Sequence, residues 1–265
     1  MNSVENNTST ESKKLKIYTV ISAAIAFITA FLGVLASISS SEARSRYFEN
    51  AALAICLYVA IAIAAAFALS SFFVFKRTTL VKENAESSVL RFLNLSPAVA
   101  LIICTVVSAT SKMVLALRVC VAILCILSAL GYICRAFKLP DTVKLICGYS
   151  QVLFLIFIIV SLYVENSIEI NSPFKLLVQF AAAALMLEAL TDMRNILYGV
   201  RLRMFAFSKI LSLTVCLLTG CVIVYIFASG NKVFDKSYLA YSIYFLCNSL
   251  CCYLSFKSVS AEPNP

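Results

Sequence analysis

The chain has 265 residues, of which 62% are hydrophobic and 13% charged, with only 6 Gly and 5 Pro, and its mean hydropathy is +0.94. That balance excludes a soluble globular domain, and long apolar runs without alternation exclude an outer-membrane barrel, which leaves an all-α, polytopic membrane helix bundle. The net charge of +9 is what basic loops on one side of a membrane produce; no basic patch sits in a soluble module, so nucleic acid is not an expected partner.

Residues 1–16 read as a polar, disordered tail held in the cytoplasm by Lys13, Lys14 and Lys16. The apolar run 17–38 exceeds the roughly 7–15 residues of a cleaved signal core and reads as a retained helix. Seven more spans follow at 51–75, 92–111, 113–134, 145–164, 173–192, 204–228 and 237–256, each near the roughly 20 residues that cross the hydrocarbon. The eight spans make one transmembrane bundle over 17–256, and residues 257–265 form a short C-terminal tail. Asn94, Ser96 and Pro97 interrupt the third span, which is expected either to kink or to begin with an interfacial turn. Lys82 to Arg91 reads either as a surface helix on anionic lipid or as a plain loop.

Orientation follows from counting bases. With the N-terminus inside, fifteen of the 22 Lys and Arg fall on the cytoplasmic side, so both termini are expected in the cytoplasm of a multi-pass cell-membrane protein. The longest loop, Lys76 to Arg91, is too short for an extramembrane domain, which excludes an ATPase, a kinase or a soluble ligand-binding module. There is no histidine, and the 11 cysteines form no C-x-x-C pair; they read as small core residues, and no metal or cofactor is expected.

One stretch stands out: Asn171 to Arg203, NSPFKLLVQFAAAALMLEALTDMRNILYGVRLR. Asn171 or Ser172 is placed to cap the sixth span, with Pro173 in its first turn. From that start Glu188 lies roughly 22 Å along the helix and Asp192 about 28 Å, on one face with Ala181 and Ala184, where another helix can approach closely. A buried Glu must be protonated, paired or facing water. Paired with Arg91, Arg135, Lys144 or Lys209 it is a structural clamp; facing a cavity it could bind a cation or carry a proton. Gln151, entering the fifth span at a comparable depth, is a candidate partner.

The eighth span carries a polar seam of Ser237, Tyr241, Tyr244, Asn248 and Cys251 or Cys252, which must look into the bundle. Asn248 needs a hydrogen-bond partner there. The first two spans instead have small-residue packing faces, Ser22, Ala26, Thr29 and Gly33, then Ala60, Ala64 and Ala68. Arg118, near the start of the fourth span, can snorkel outward or pair with Glu165 or Glu169.

The NSPFKLLVQF start, followed by an acid and by Arg194 at the far end, resembles a group of uncharacterised multi-pass membrane proteins of Gram-positive anaerobic bacteria. The resemblance covers about thirty residues and implies a bacterial cytoplasmic membrane, with no activity attached. Three functions stay open: a small transporter or channel-like protein with a polar site at Glu188, Gln151 and Asn248; a membrane scaffold or subunit acting through helix partners or as a homo-oligomer, with Asp192, Arg194 and Arg118 as interface or clamp residues; and, least supported, an intramembrane enzyme resting on Glu188 and Asp192 alone. Beyond the lipid bilayer, no small-molecule or ion substrate is identifiable.

Overall fold

The computed structural model describes residues 2–38, 50–75, 79–83, 92–93, 95–110, 115–137, 140–164, 172–230 and 236–263. Eight helices carry these residues: α1 (Asn2–Ile38), α2 (Ala51–Val74), α3 (Ser96–Ala109), α4 (Leu115–Ala136), α5 (Asp141–Val164), α6 (Pro173–Tyr198), α7 (Leu202–Ala228) and α8 (Lys236–Ser258). Two short strands, β1 (Thr79–Glu83) and β2 (Val259–Pro263), complete them. Seven of the helices are long and apolar enough to cross a membrane, and the lipid-facing positions of the bundle are large and apolar, among them Phe27, Phe31, Ile63, Val106, Ile123 and Val160. The protein is a multi-pass membrane bundle.

Six helices close a ring: α3 packs on α4, α4 on α5, α5 on α6, α6 on α7, α7 on α8, and α8 back on α3. α1 and α2 lie outside it, both against α7, which thereby packs against four other helices. The small-residue face expected on α1 is the one that meets α7. Ser22, Ala26 and Thr29 are buried, and a Cβ on Gly33 would run into Leu218 and Val222 of α7. On α2, Ala64 and Ala68 are likewise buried.

Two boundaries differ from the sequence reading. The tail expected to be disordered over 1–16 is helical from Asn2, continuous with the first span. Its last turns are held by the Lys14–Glu11 ion pair of 2.8 Å and by Leu15, which is buried in a small core with Phe75, Val200, Leu202, Phe256 and Val259. The third span is represented by α3, 14 residues from Ser96 to Ala109 with Pro97 in its first turn. That is about 21 Å of helix, short of the roughly 30 Å of hydrocarbon, so α3 is a partial span shortened where Asn94, Ser96 and Pro97 interrupt the apolar run.

The strands were not foreseen. β1 and β2 pair antiparallel from Thr79↔Pro263 to Glu83↔Val259, Leu80 also bridges Arg201, and Val81 N–H donates to the Val200 carbonyl at 3.0 Å. This sheet joins the segment after α2, the α6–α7 turn and the segment after α8. With Leu15 in the same cluster, both termini lie at one end of the bundle, called here the termini end. Of the stretch Lys82 to Arg91, residues 82–83 belong to β1 and the remainder lies outside the described residues.

The α6–α7 connection sets the geometry of the polar core. α6 stops at Gly199, whose φ of 73° is costly for other residues, and Asn195 Oδ1 accepts from Val200 N–H at 3.1 Å. Gly199, Val200 and Arg201 alone join the two helices, so the last turns of α6 face the first turns of α7. At the other end of α6 the expected cap is only half realised. Ser172 occupies the cap position but makes no capping bond, and its buried hydroxyl has no partner among the described residues; Asn171 lies outside them.

Candidate functional site: an ion-pair ladder inside the helix ring

Glu188 and Asp192, one turn apart on α6, both meet Lys209, which stands two turns into α7. Lys209 Nζ donates to Glu188 Oε1 at 2.6 Å and lies 3.2 Å from Asp192 Oδ1. Arg135, in the last turn of α4, donates from Nη1 to Asp192 Oδ2 at 2.8 Å. The second oxygen of Glu188 accepts from the Cys252 thiol of α8 at 2.9 Å. Two acids and two bases therefore cancel formally, and four helices of the ring are joined by side chains of opposite charge or by a thiol.

Depth orders the ladder. Side-chain exposure is 3% at Lys209, 10% at Glu188, 18% at Asp192 and 31% at Arg135, so Lys209–Glu188 is the inner rung and Arg135–Asp192 the rim at the termini end. Taking either inner charge out of water costs several kcal/mol, on the order of what the mutual attraction returns, so such a pair holds only with its partners complete. Both bases also lie over aromatic faces: Lys209 is 5.5 Å from the Phe205 ring centroid and Arg135 5.6 Å from that of Tyr132.

Tyr132 leads inward to an uncharged tier. Its hydroxyl donates to Asn248 Oδ1 at 2.5 Å and accepts from Gln151 Nε2 at 2.7 Å. Gln151 also reaches the Tyr244 hydroxyl at 3.2 Å, and Asn248 Nδ2 donates to the Tyr244 carbonyl at 2.8 Å. The Tyr132–Asn248 and Gln151–Tyr244 bonds run across the ring, from α4 and α5 to α8. Phe154 closes the tier, edge-on to Tyr244 at 6.0 Å and to Tyr241 at 6.2 Å. Replacing Tyr132 by Phe removes the one hydroxyl that serves both amides, and thermal melting in detergent should show a loss of about 1–3 kcal/mol. Tyr244→Phe should cost less, because its hydroxyl makes only the longer contacts.

The α6–α7 seam beneath the ladder uses the small-residue face expected on α6. Ser212 Oγ donates to the Ala184 carbonyl at 2.9 Å and Thr219 Oγ1 to that of Leu177 at 3.1 Å. Hydroxyls of α7 can reach carbonyls of α6 because Ala181 and Ala184 let the backbones come close.

Of the residues singled out in the sequence, Glu188 and Asp192 meet in the ladder, with Arg135 and Lys209 from the set of bases considered for them. Gln151 and Asn248 occupy the neighbouring tier, and Gln151 hydrogen-bonds the two tyrosines instead of Glu188. Arg194 is exposed on α6 and takes no part in the ladder's bonds. Arg118 is partly buried one turn into α4, at the opposite end of that helix from Arg135. Tyr132 and Cys252 enter the site without having been singled out as partners of these groups. The signal for the ladder's inner base was present: Lys209 stands five residues inside the predicted seventh span, as intrusive there as Glu188 is in the sixth.

All 11 cysteines are free, and among the described residues no group of three His, Cys, Asp or Glu could hold a metal ion. Compared with protein-family models, with curated proteins and with solved structures, the chain matches none.

Proposed function

We propose that the protein is a membrane scaffold or subunit: a rigid helix ring, locked by its own ion pairs, that works through its outer helix faces. The termini end is assigned to the cytoplasm on the fifteen-to-seven distribution of bases. The observation that carries this reading is that both oxygens of Glu188 are held by neighbouring helices, one by Lys209 and the other by the Cys252 thiol. A carboxylate so engaged acts as a clamp between helices.

A second reading, a small transporter closed at this gate, is favoured by one feature: the ladder continues into the Tyr132, Gln151 and Asn248 tier inside the ring, so opening Lys209–Glu188 would bare a polar route. Flux distinguishes the two. Purified protein is placed in proteoliposomes under imposed proton, sodium and potassium gradients, alongside the charge-balanced double variant Glu188→Gln with Lys209→Met. The scaffold reading expects both to leak no faster than protein-free vesicles. A flux above that background which the double variant loses would establish the transport reading instead.

A further inference from the structure

The free cysteines differ in what holds their sulfurs. Cys252 donates to Glu188, Cys251 to the Leu93 carbonyl at 3.8 Å and Cys216 to the Ala181 carbonyl at 4.0 Å, while Cys125 meets Thr105. Cys134 and Cys147 instead have each other. Their thiols are hydrogen-bonded across the seam between α4 and α5.

Local geometry brings the two together. α4 runs to Ala136 and α5 starts at Asp141, so residues 137–140 turn the chain back and the last turns of α4 lie against the first turns of α5. Gly131 sets the spacing: a Cβ there would lie 2.9 Å from the Cys147 Cβ and 3.7 Å from its carbonyl carbon, closer than a side chain on α4 would allow. Cys134 stands three residues on from Gly131, on the same face, so Cys147 is seated between them. Arg135 acts electrostatically on Cys147 and holds Asp192 at 2.8 Å, which puts the thiol pair beside the rim of the ion-pair ladder.

We propose that Cys134 and Cys147 form a redox-responsive dithiol, which hydrogen peroxide closes to a disulfide that ties α4 to α5. Burial selects the oxidant. Each cysteine is 4% exposed, which denies entry to a bulky disulfide or an oxidoreductase, whereas peroxide is uncharged and little larger than water. The chemistry balances in two steps. One sulfur attacks the peroxide O–O bond; that bond breaks, the thiol proton joins the departing hydroxide as water, and a sulfenic acid remains. The second sulfur attacks the sulfenic sulfur, the S–O bond breaks, the second thiol proton leaves in a second water, and the S–S bond forms. Two electrons pass from the sulfurs to one peroxide molecule. The assignment holds under either the scaffold or the transport reading, since the two thiols make none of the ladder's bonds.

The test treats the full chain, in nanodiscs of phosphatidylethanolamine and phosphatidylglycerol, with hydrogen peroxide, then removes the oxidant with catalase, denatures in N-ethylmaleimide and maps the cysteines by mass spectrometry. A Cys134–Cys147 cross-link within one chain should be the dominant cysteine pair, and dithiothreitol should return both thiols to the alkylated form. The bond closes a short loop, so the oxidised protein should melt about 6–12 °C higher than the reduced one. In Cys134→Ser and Cys147→Ser the cross-link and the gain in melting temperature should vanish, and in at least one of the two dimedone should trap a sulfenic acid on the thiol left without its partner. Full alkylation of both thiols after peroxide, a spread of other cysteine pairs, a cross-link between two copies of the chain, or an oxidised protein that melts no higher would each overturn the proposal.

Discussion

Lys209→Met should destabilise the protein by about 3–5 kcal/mol, and adding Glu188→Gln should return a large part of that loss. With Lys209 removed, Glu188 keeps only a thiol donor and Asp192 keeps only Arg135, so two acids face one base in a water-poor core. Changing Glu188 to a neutral amide of the same shape restores the balance, leaving one complete pair at the rim. The opposite of additivity is therefore expected: the double variant should be more stable than the Lys209 single variant. The buried cysteines supply the readout, since a fluorogenic maleimide reacts with Cys104, Cys125, Cys216 and Cys252 only as the bundle opens on heating. Equal melting of the single and double variants would show that the Lys209–Glu188 rung carries no coupling.

Gly220→Val should cost about 1–3 kcal/mol and lower the yield of monodisperse protein. Gly220 lies where α7 meets α8: an added Cβ would collide with the Leu246 side chain and sit 3.2 Å from the Ser242 carbonyl. The leucine can turn aside, but the carbonyl is backbone within a helix and cannot. Because α7 also carries Lys209 and contacts α1, α2 and α6, displacing it loosens several interfaces together. The companion variant Gly220→Ala should fall between wild type and valine in melting temperature; a valine variant as stable as wild type would mean that α8 can shift freely along α7.

The class of fold was legible because hydropathy acts over whole segments, and seven helices of membrane length with one shorter apolar helix leave few alternatives. Finer features depended on contacts that periodicity does not carry. Where the helix that starts at Asn2 meets the bundle, Leu15 is buried with Val200, Phe256 and Val259, partners about 185 residues or more away along the chain. Glu188 was legible as an intrusion of charge into an apolar run, and so was Asn248, since each states a need that only a partner can meet. Which partner each would find was not. Lys209 was counted with the bases at a span's end, although its depth marked it out, and Tyr132 hid among apolar neighbours because an aromatic ring advertises burial but not where its hydroxyl points. Gln151 was expected near Glu188 from depth alone, but the rotation of α5 about its axis turns it to Tyr132 and Tyr244.

The pairing of β1 with β2 has a consequence in time. β1 follows the second helix in the chain and β2 follows the eighth, so during synthesis the first strand waits without its neighbour while six further helices are threaded into the bilayer. Only after Val259 to Pro263 leave the ribosome can the ladder from Thr79↔Pro263 to Glu83↔Val259 form. The sheet is then a latch that ties an early segment to a late one, and until it closes the early strand presents an open edge of unpaired backbone groups.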